Sequence, residues 1–582
     1  HRGALRRLTR RGIGSPECPA SAVSTNLCAV LPARDGTSVR AMSASQSPIE
    51  WWKTAVVYQI YPRSFQDTSG NGVGDLNGIT KRLDYLSDTL GVDAIWISPF
   101  YPSPMADFGY DVSDYTDVNP LFGTLEDFDR LLAEAHGRDL KVIVDWVPNH
   151  TSDQHPWFIE ARSSRTNPKR DWYVWQEPSP GGGLPNNWQS EFGGPAWTYD
   201  DHTDQWYLNS FLAEQPDLNW RNPEVVEAMF DTVRFWLDRG VDGFRIDVAH
   251  FIMKDPDFTD NPPEPDPNAV SHLNPMRQSD GRQHVNNKGH SDVHSVYRGL
   301  RAILDEYNGD RFSIGEIHIF DWDEWASYYG EDDELHMPFN FSLVWAGWDP
   351  KAIRNRVEAL EAAVPPSGWP NYVLGNHDEQ RLATRYGPDN AAAATMLLLT
   401  LRGQPTLYYG DELAMRQTAI SDDQQQDPWG IRVPGVGRDG CRTPMPWTPG
   451  PGHGFTEPAV APWLPFGNDA GVRNVEYQLA VDGSPLNFVR RLLSLRRDRP
   501  SLQTGTIEFV DQDRPDVLAY VRETVDERTL VVISFADEPR SIPVSATARL
   551  LLSTDGDGSR VVDNLLELAP HQAVAIDPGH RG

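Results

Sequence analysis

From residue 50 onward, eight runs of strand-forming residues recur with helical stretches between them. No other feature restricts the fold as much, because parallel strands need long crossovers and the usual crossover is a helix. The runs are VVYQIYP (56–62), AIWIS (94–98), KVIVDWV (141–147), GFRIDVA (243–249), FSIGEI (312–317), LHMPFN (335–340), NYVLGNHD (371–378) and PTLYYGDEL (405–413). LEDFDRLLAEAHGRDL (125–140) and PEVVEAMFDTVRFWLDRG (223–240) are among the helical stretches. The second opens on Pro and closes on Gly, as helix ends prefer. Eight such alternations predict an α/β fold, a (β/α)8 TIM barrel.

Two segments are too long for ordinary barrel loops. Residues 151–222 follow the third strand and are rich in Trp, Gly, Pro and Asn, so they predict an inserted domain B over the barrel mouth. Residues 414–485 predict a long irregular loop on the same face. After about residue 503 the chain turns to short β runs, which predict a C-terminal all-β sandwich domain over 503–582. The barrel is then expected from 49–150 and 223–502. The first 48 residues read as a disordered basic tail: residues 1–41 carry seven Arg and two acids and no signal-peptide pattern. Met42 reads as the native start.

Charge and cysteine usage narrow the partners. A formal net charge of −31 argues against nucleic acid, which requires surplus Lys and Arg. Of three cysteines, Cys18 and Cys28 lie in the tail and only Cys441 in the body, which excludes a disulfide framework there and predicts a cytoplasmic protein. The longest apolar run, AAAATMLLLTL (391–401), is too short to span a bilayer and predicts a buried helix. No membrane partner is expected, and a monomer or homodimer is. Twenty Trp beside many Asp suit either a packed core or a sugar cleft.

The segment GFRIDVAH (243–250) puts two charges into an apolar strand. Arg245 and Asp247 are two apart and point to one side. A structural ion pair would explain that segment alone. Polar residues, however, recur at other strand ends: Asp145, Asn149 and His150 in DWVPNH, Glu316 in GEIH, and Asn376, His377 and Asp378 in GNHD. Barrel active sites form at the C-terminal ends of the strands, so the recurrence predicts a convergent site. No strand-end Ser or Cys, zinc spacing or glycine-rich phosphate loop accompanies it. The remaining chemistry is that of paired carboxylates, which cleave glycosidic bonds.

Together these segments resemble the α-amylase superfamily of retaining glycoside hydrolases, in its α-glucosidase and oligo-1,6-glucosidase branch. The resemblance runs from about residue 50 to the C-terminus and includes WWKTAVVYQIYPRSF (51–65), GDLNGI (74–79), GYDVSDY (109–115), QPDLN (215–219), NHDEQR (376–381) and RDGCRTPMPW (438–447). It implies Asp247 as nucleophile, Glu316 as general acid/base and Asp378 as the third carboxylate. It implies Arg245, His150, His377, Asp107, Tyr110 and Arg442 as substrate-binding residues, with Arg438 an alternative to Arg442. Asp145 and Asn149 read as braces. His250 and His318 match no family role and read as structural.

The resemblance implies no cofactor for the chemistry. DTSGNGVGDL (67–76) resembles a structural calcium loop, with donors at Asp67, Ser69, Asn71, the Val73 carbonyl and Asp75. It has two carboxylates and no bidentate Glu, so a hydrogen-bonded turn is the other reading. Val248, after the nucleophile, resembles α-1,6-preferring enzymes, although AH follows it. The implied activity is an exo-acting α-glucosidase acting on short α-glucosides. The rivals are a transglucosylase or sucrose/maltose isomerase on the same fold and a non-catalytic transporter heavy-chain ectodomain. An endo-amylase is disfavoured by DFGYD and QPDLN, which resemble a closed pocket.

Overall fold

The computed structural model describes residues 49–265, 281–510, 514–556 and 559–579. The tail reading, Met42, Cys18 and Cys28 fall outside the described residues.

The eight expected strands form one all-parallel sheet: β1 Val57–Ile60, β2 Ala94–Ile97, β3 Lys141–Trp146, β4 Gly243–Ile246, β5 Phe312–Glu316, β6 Met337–Phe339, β7 Asn371–Val373 and β8 Gln404–Tyr408. Their order is β7-β8-β1-β2-β3-β4-β5-β6. The ladder is open only between β6 and β7, where Asn371 bridges instead: its side chain accepts from Asn340 N–H (2.9 Å) and donates to the Pro338 carbonyl (2.5 Å). The sheet is thus a nearly closed barrel. Trp52, Val57, Trp96, Ile143, Phe312, Ile314, Met337, Phe339 and Val373 form one buried apolar cluster below the mouth.

The predicted helices form with shorter C-termini. The first spans Leu125–His136 under a Thr124–Asp127 capping box, and Gly137 follows it. The second spans Pro223–Arg239 and ends at Gly240 with φ +103°, a conformation that favours glycine. Ala391–Thr400 is a helix with nine of its ten residues buried, as expected of that apolar run. Among the described residues no helix is long and apolar enough to cross a membrane.

Within 151–222, strands Trp175–Gln176, Trp197–Asp200 and Gln205–Leu208 form a small antiparallel sheet. It packs around Trp188, Trp197 and Leu208. Beyond the helix Pro500–Thr504, five antiparallel strands form one sheet and three another, with apolar residues of both in one buried cluster. The sequence reading missed one hairpin there, Arg560–Val562 with Leu565–Leu568. Its turn, Asp563-Asn564, has φ +49° and +65°. Asp and Asn tolerate that region, and a two-residue turn of this kind is a hairpin signal.

Candidate active site

Register alone begins the site. Asp145 on β3 lies directly across from Arg245 on β4, so both side chains point to one side. Arg245 is fully buried, and its guanidinium caps the barrel cluster over Trp96. It serves three carboxylates: Nη1 donates to Asp145 (2.8 Å) and to Asp247 Oδ1 (2.7 Å), and Nη2 donates to Glu316 Oε2 (2.6 Å). Asp247 and Glu316 therefore sit on two nitrogens of one group. That closeness suits retaining glycosidases, whose carboxyls stand about 5–5.5 Å apart.

Val248 follows Asp247 at φ +37°, the left-handed region, where a β-branched residue is strained. The Val248 N–H donates to Glu316 Oε2 at 3.0 Å and ties β4's end to β5's. The other oxygen of Glu316, Oε1, lies 2.9 Å from His318 Nε2.

Three carboxylates around one cation cannot all ionise freely. Burial pushes the Asp145 carboxyl up to about 6 and Asp247 well above the usual range, with Arg245 opposing both. Glu316 is buried too, but Arg245 and His318 outweigh burial and hold it below the usual range.

Asp378 follows β7. Its Oδ1 accepts from Arg438 Nη1 (3.0 Å) and Arg442 Nη2 (2.9 Å). Against burial, His377 and these two arginines hold it well below the ordinary carboxylate range. His377 is itself pushed down to about 3 by burial, and is neutral at pH 7. Gln59 Nε2 donates to its Nδ1 at 2.8 Å, which leaves the proton on Nε2, 2.7 Å from Tyr110 Oη. Burial likewise lowers His150 to about 4.

Two placements bear on the sequence reading. Arg438, the alternative to Arg442, lines the pocket and bridges Asp378 to Asp107 (2.9 Å) and Asp427 (2.8 Å). Arg442 stands behind Asp378, donates Nε–H to the His377 carbonyl (2.7 Å) and does not line the pocket. His250 and His318, read as structural, both line the pocket with the catalytic candidates.

Sequence reasoning passed over other wall residues. Gln215, within QPDLN, donates to Asp107 Oδ2 at 3.2 Å. Phe192 from the insert meets Trp429 from the 414–485 loop edge-on at 5.6 Å, and Phe211 lies beside His150. Glu379, next to Asp378, also lines the pocket, and burial pushes it up to about 7. The motif NHDEQR displayed Glu379, whereas nothing local marked the aromatic residues.

The 67–76 loop is built as a turn. Asp67 Oδ1 accepts from Ser69 N (2.9 Å), Ser69 Oγ (3.1 Å) and Gly70 N (2.8 Å), and Oδ2 from Gly72 N (2.8 Å) and Thr456 Oγ1 (2.6 Å). Asp75 caps the helix Leu76–Lys81 and accepts from Thr68 (2.8 Å), and Asn71 accepts from Val73 N (2.8 Å). These oxygens accept from N–H and O–H donors, the pattern of the hydrogen-bonded turn that was the other reading of this loop. No group of three or more His, Cys, Asp or Glu among the described residues could hold a metal.

A barrel that gathers carboxylates at its mouth, with one guanidinium to hold two of them close, is built for glycosyl-group chemistry. Its class is that of the carboxylate-dependent glycoside enzymes. The chain belongs to the α-amylase family: the profile of the α-amylase catalytic domain matches residues 59–505. It is 42% identical over 533 residues to a probable alpha-glucosidase of Rhizobium meliloti, covering 89% of this chain and 95% of that one. It is 38% identical over 531 residues to an oligo-1,6-glucosidase of Heyndrickxia coagulans, covering 84% and 92%. Among solved structures it superposes on the alpha-glucosyl transfer enzyme XgtA with a TM-score of 0.86 at 43% identity, covering 91% of this chain and 99% of that one. The trehalulose synthase MutB of Pseudomonas mesoacidophila MX-45 gives 0.82 at 33% identity, covering 91% and 100%.

Proposed function

We propose that this protein is a retaining, exo-acting α-glucosidase that removes single glucosyl units from short α-glucosides of the maltose, isomaltose or sucrose type. One observation carries the reading. The pocket that holds Asp247, Glu316 and Asp378 is walled at one end by Arg438 clamped between Asp107 and Asp378. A dead end admits a chain terminus, and a long glucan cannot thread through it.

In the first step Asp247, in its ionised form paired with Arg245, attacks the anomeric carbon. Its Oδ1 is held by Arg245, which leaves Oδ2 as the attacking oxygen. The C1–O bond breaks, and the leaving oxygen takes a proton from Glu316. In the second step water attacks C1, Glu316 accepts its proton, and the ester to Asp247 breaks. Asp378, held ionised by two arginines, binds sugar hydroxyls as an acceptor. No step needs a metal or cofactor.

Asp247→Asn tests this: the shape is kept and the nucleophile lost. Less than about a thousandth of wild-type turnover on maltose is expected, with the melting temperature little changed. Greater residual activity refutes the assignment. A transglucosylase is the second reading. Phe192, Phe211, Phe251 and Trp429 surround the pocket and disfavour water at the covalent intermediate. Product analysis at high sugar concentration separates the two, since a transglucosylase gives new disaccharides in place of free glucose. A cytoplasmic monomer or homodimer completes the proposal, and the lone buried thiol of Cys441 among the described residues suits a reducing compartment.

A further inference from the structure

The proposed mechanism leaves one close contact unexplained. His318 sits two residues beyond Glu316, and its Nε2 lies 2.9 Å from Glu316 Oε1. Oε2 is already held by Arg245 and by the Val248 N–H, so Oε1 is the oxygen left to carry the catalytic proton. The imidazole is clamped for that contact. It stacks on Phe341 with ring centroids 4.4 Å apart and lies 5.6 Å from Trp345. Its Nδ1 is buried and has no partner among the described residues, so the contact to Oε1 is the one hydrogen bond seen on the ring. The side chain is 23% exposed at the pocket wall.

Resting on the α-glucosidase reading, we propose that His318 is the proton partner of Glu316, a positioning residue that holds Oε1 and shares one proton with it. In the free enzyme the proton lies between Nε2 and Oε1. As the leaving group departs, the Nε2–H bond breaks, Oε1–H forms, and that proton passes to the glucosidic oxygen, leaving neutral imidazole and a carboxylate. When water attacks the covalent intermediate, its proton goes to Oε1 and back to Nε2. The pair ends each cycle as it began, so no other reagent is needed.

The contact fits the electrostatics of the cluster. Arg245 and His318 together hold Glu316 ionised, which makes it a weak proton carrier by itself. Other charged groups face the imidazole. Glu379 and Asp378 approach from the segment after β7, and Glu379 feels the His318 charge. From the segment after β4, the His250 ring lies 6.1 Å away, with Lys288 acting on it, and Arg245 stands behind Glu316.

The test compares His318→Gln with wild type on maltose and on α-glucosyl fluoride. Gln keeps an N–H donor for Oε1 but cannot carry a proton, and fluoride leaves with little acid help. We expect kcat/KM on maltose to fall about 10²-fold, the usual scale for a lost acid–base contribution. We expect the fluoride rate to stay within about threefold and the alkaline limb of the maltose profile to move to lower pH. Glu379→Gln is the control and should leave that limb in place. The proposal is overturned if His318→Gln keeps the wild-type pH profile, if both substrates lose equally, or if Glu379→Gln moves the limb instead. Wild type that fails to release glucose from either substrate defeats the glucosidase reading itself.

Discussion

Replacing Arg438 with Met tests the charge balance of the pocket wall. Arg438 is buried and serves Asp107, Asp378 and Asp427 at once. Asp378 keeps Arg442 when it goes, so the loss falls on the other two. Asp427 is fully buried; Arg438, outweighing burial, holds it at about 2. That lies nearly two units below an ordinary Asp, and at about 1.4 kcal/mol per unit it contributes roughly 2–3 kcal/mol above the ordinary Asp range. Without Arg438 this is lost and burial of Asp427 is uncompensated, giving a total near the 3–5 kcal/mol typical of a broken buried pair. For a chain of this size that is a fall in Tm of roughly 3–5 °C at pH 7–8. The pH dependence follows in sign. A carboxyl held low stabilises the fold above its unfolded pKa and ceases to do so as pH falls toward 2. Asp107, held at about 6 because burial outweighs Arg438, works oppositely: it costs stability as pH rises through 6, and more so once the cation is gone. The deficit should therefore be largest at pH 8 and shrink toward pH 4. Calorimetry from pH 4 to 8 measures it, and maltose kinetics should show KM raised far more than kcat is lowered. A Tm within 1 °C of wild type at pH 8, or a deficit that grows on acidification, refutes the reasoning.

Val248→Thr should lower the isomaltose/maltose ratio of kcat/KM about fivefold, because one added hydroxyl beside the leaving sugar is worth about 1 kcal/mol; an unchanged ratio places specificity in the insert or the 414–485 loop. Asp67→Asn should cost about 1–3 kcal/mol, since Nδ2 cannot accept the bonds that Asp67 now takes, and EDTA should leave the wild-type Tm unmoved; a chelator-induced fall would show that the loop holds a cation. Cys441 is buried and its thiol is pushed up to about 12 by burial, so native protein should resist a thiol reagent at pH 8 that modifies it in denaturant.

The barrel and its candidate catalytic carboxyls were legible along the chain because both are local. Strand period and order set which residues lie at strand ends, and register then makes Asp145 and Arg245 neighbours. The same locality exposed Asp247, Glu316 and Asp378 within short motifs. The hairpin at 560–568 was missed although its Asp-Asn turn is also local, because each of its strands is only three or four residues long. The pocket wall was another matter. Whether Arg438 or Arg442 faces the sugar depends on which way a short helical turn, Asp439–Cys441, presents its flanking residues. Phe192 and Trp429 meet across the mouth from segments with no shared pattern. His318 stands two residues past Glu316, but its bond to Oε1 depends on a ring seat made by Phe341 and Trp345 from beyond β6. The sequence by itself determined the scaffold and the carboxyls proposed to react, since hydrophobic period and strand order act over a few residues. Only the tertiary structure decided the pocket's wall and the His318 contact to Glu316, because those contacts join distant loops whose side chains find one another by packing and charge.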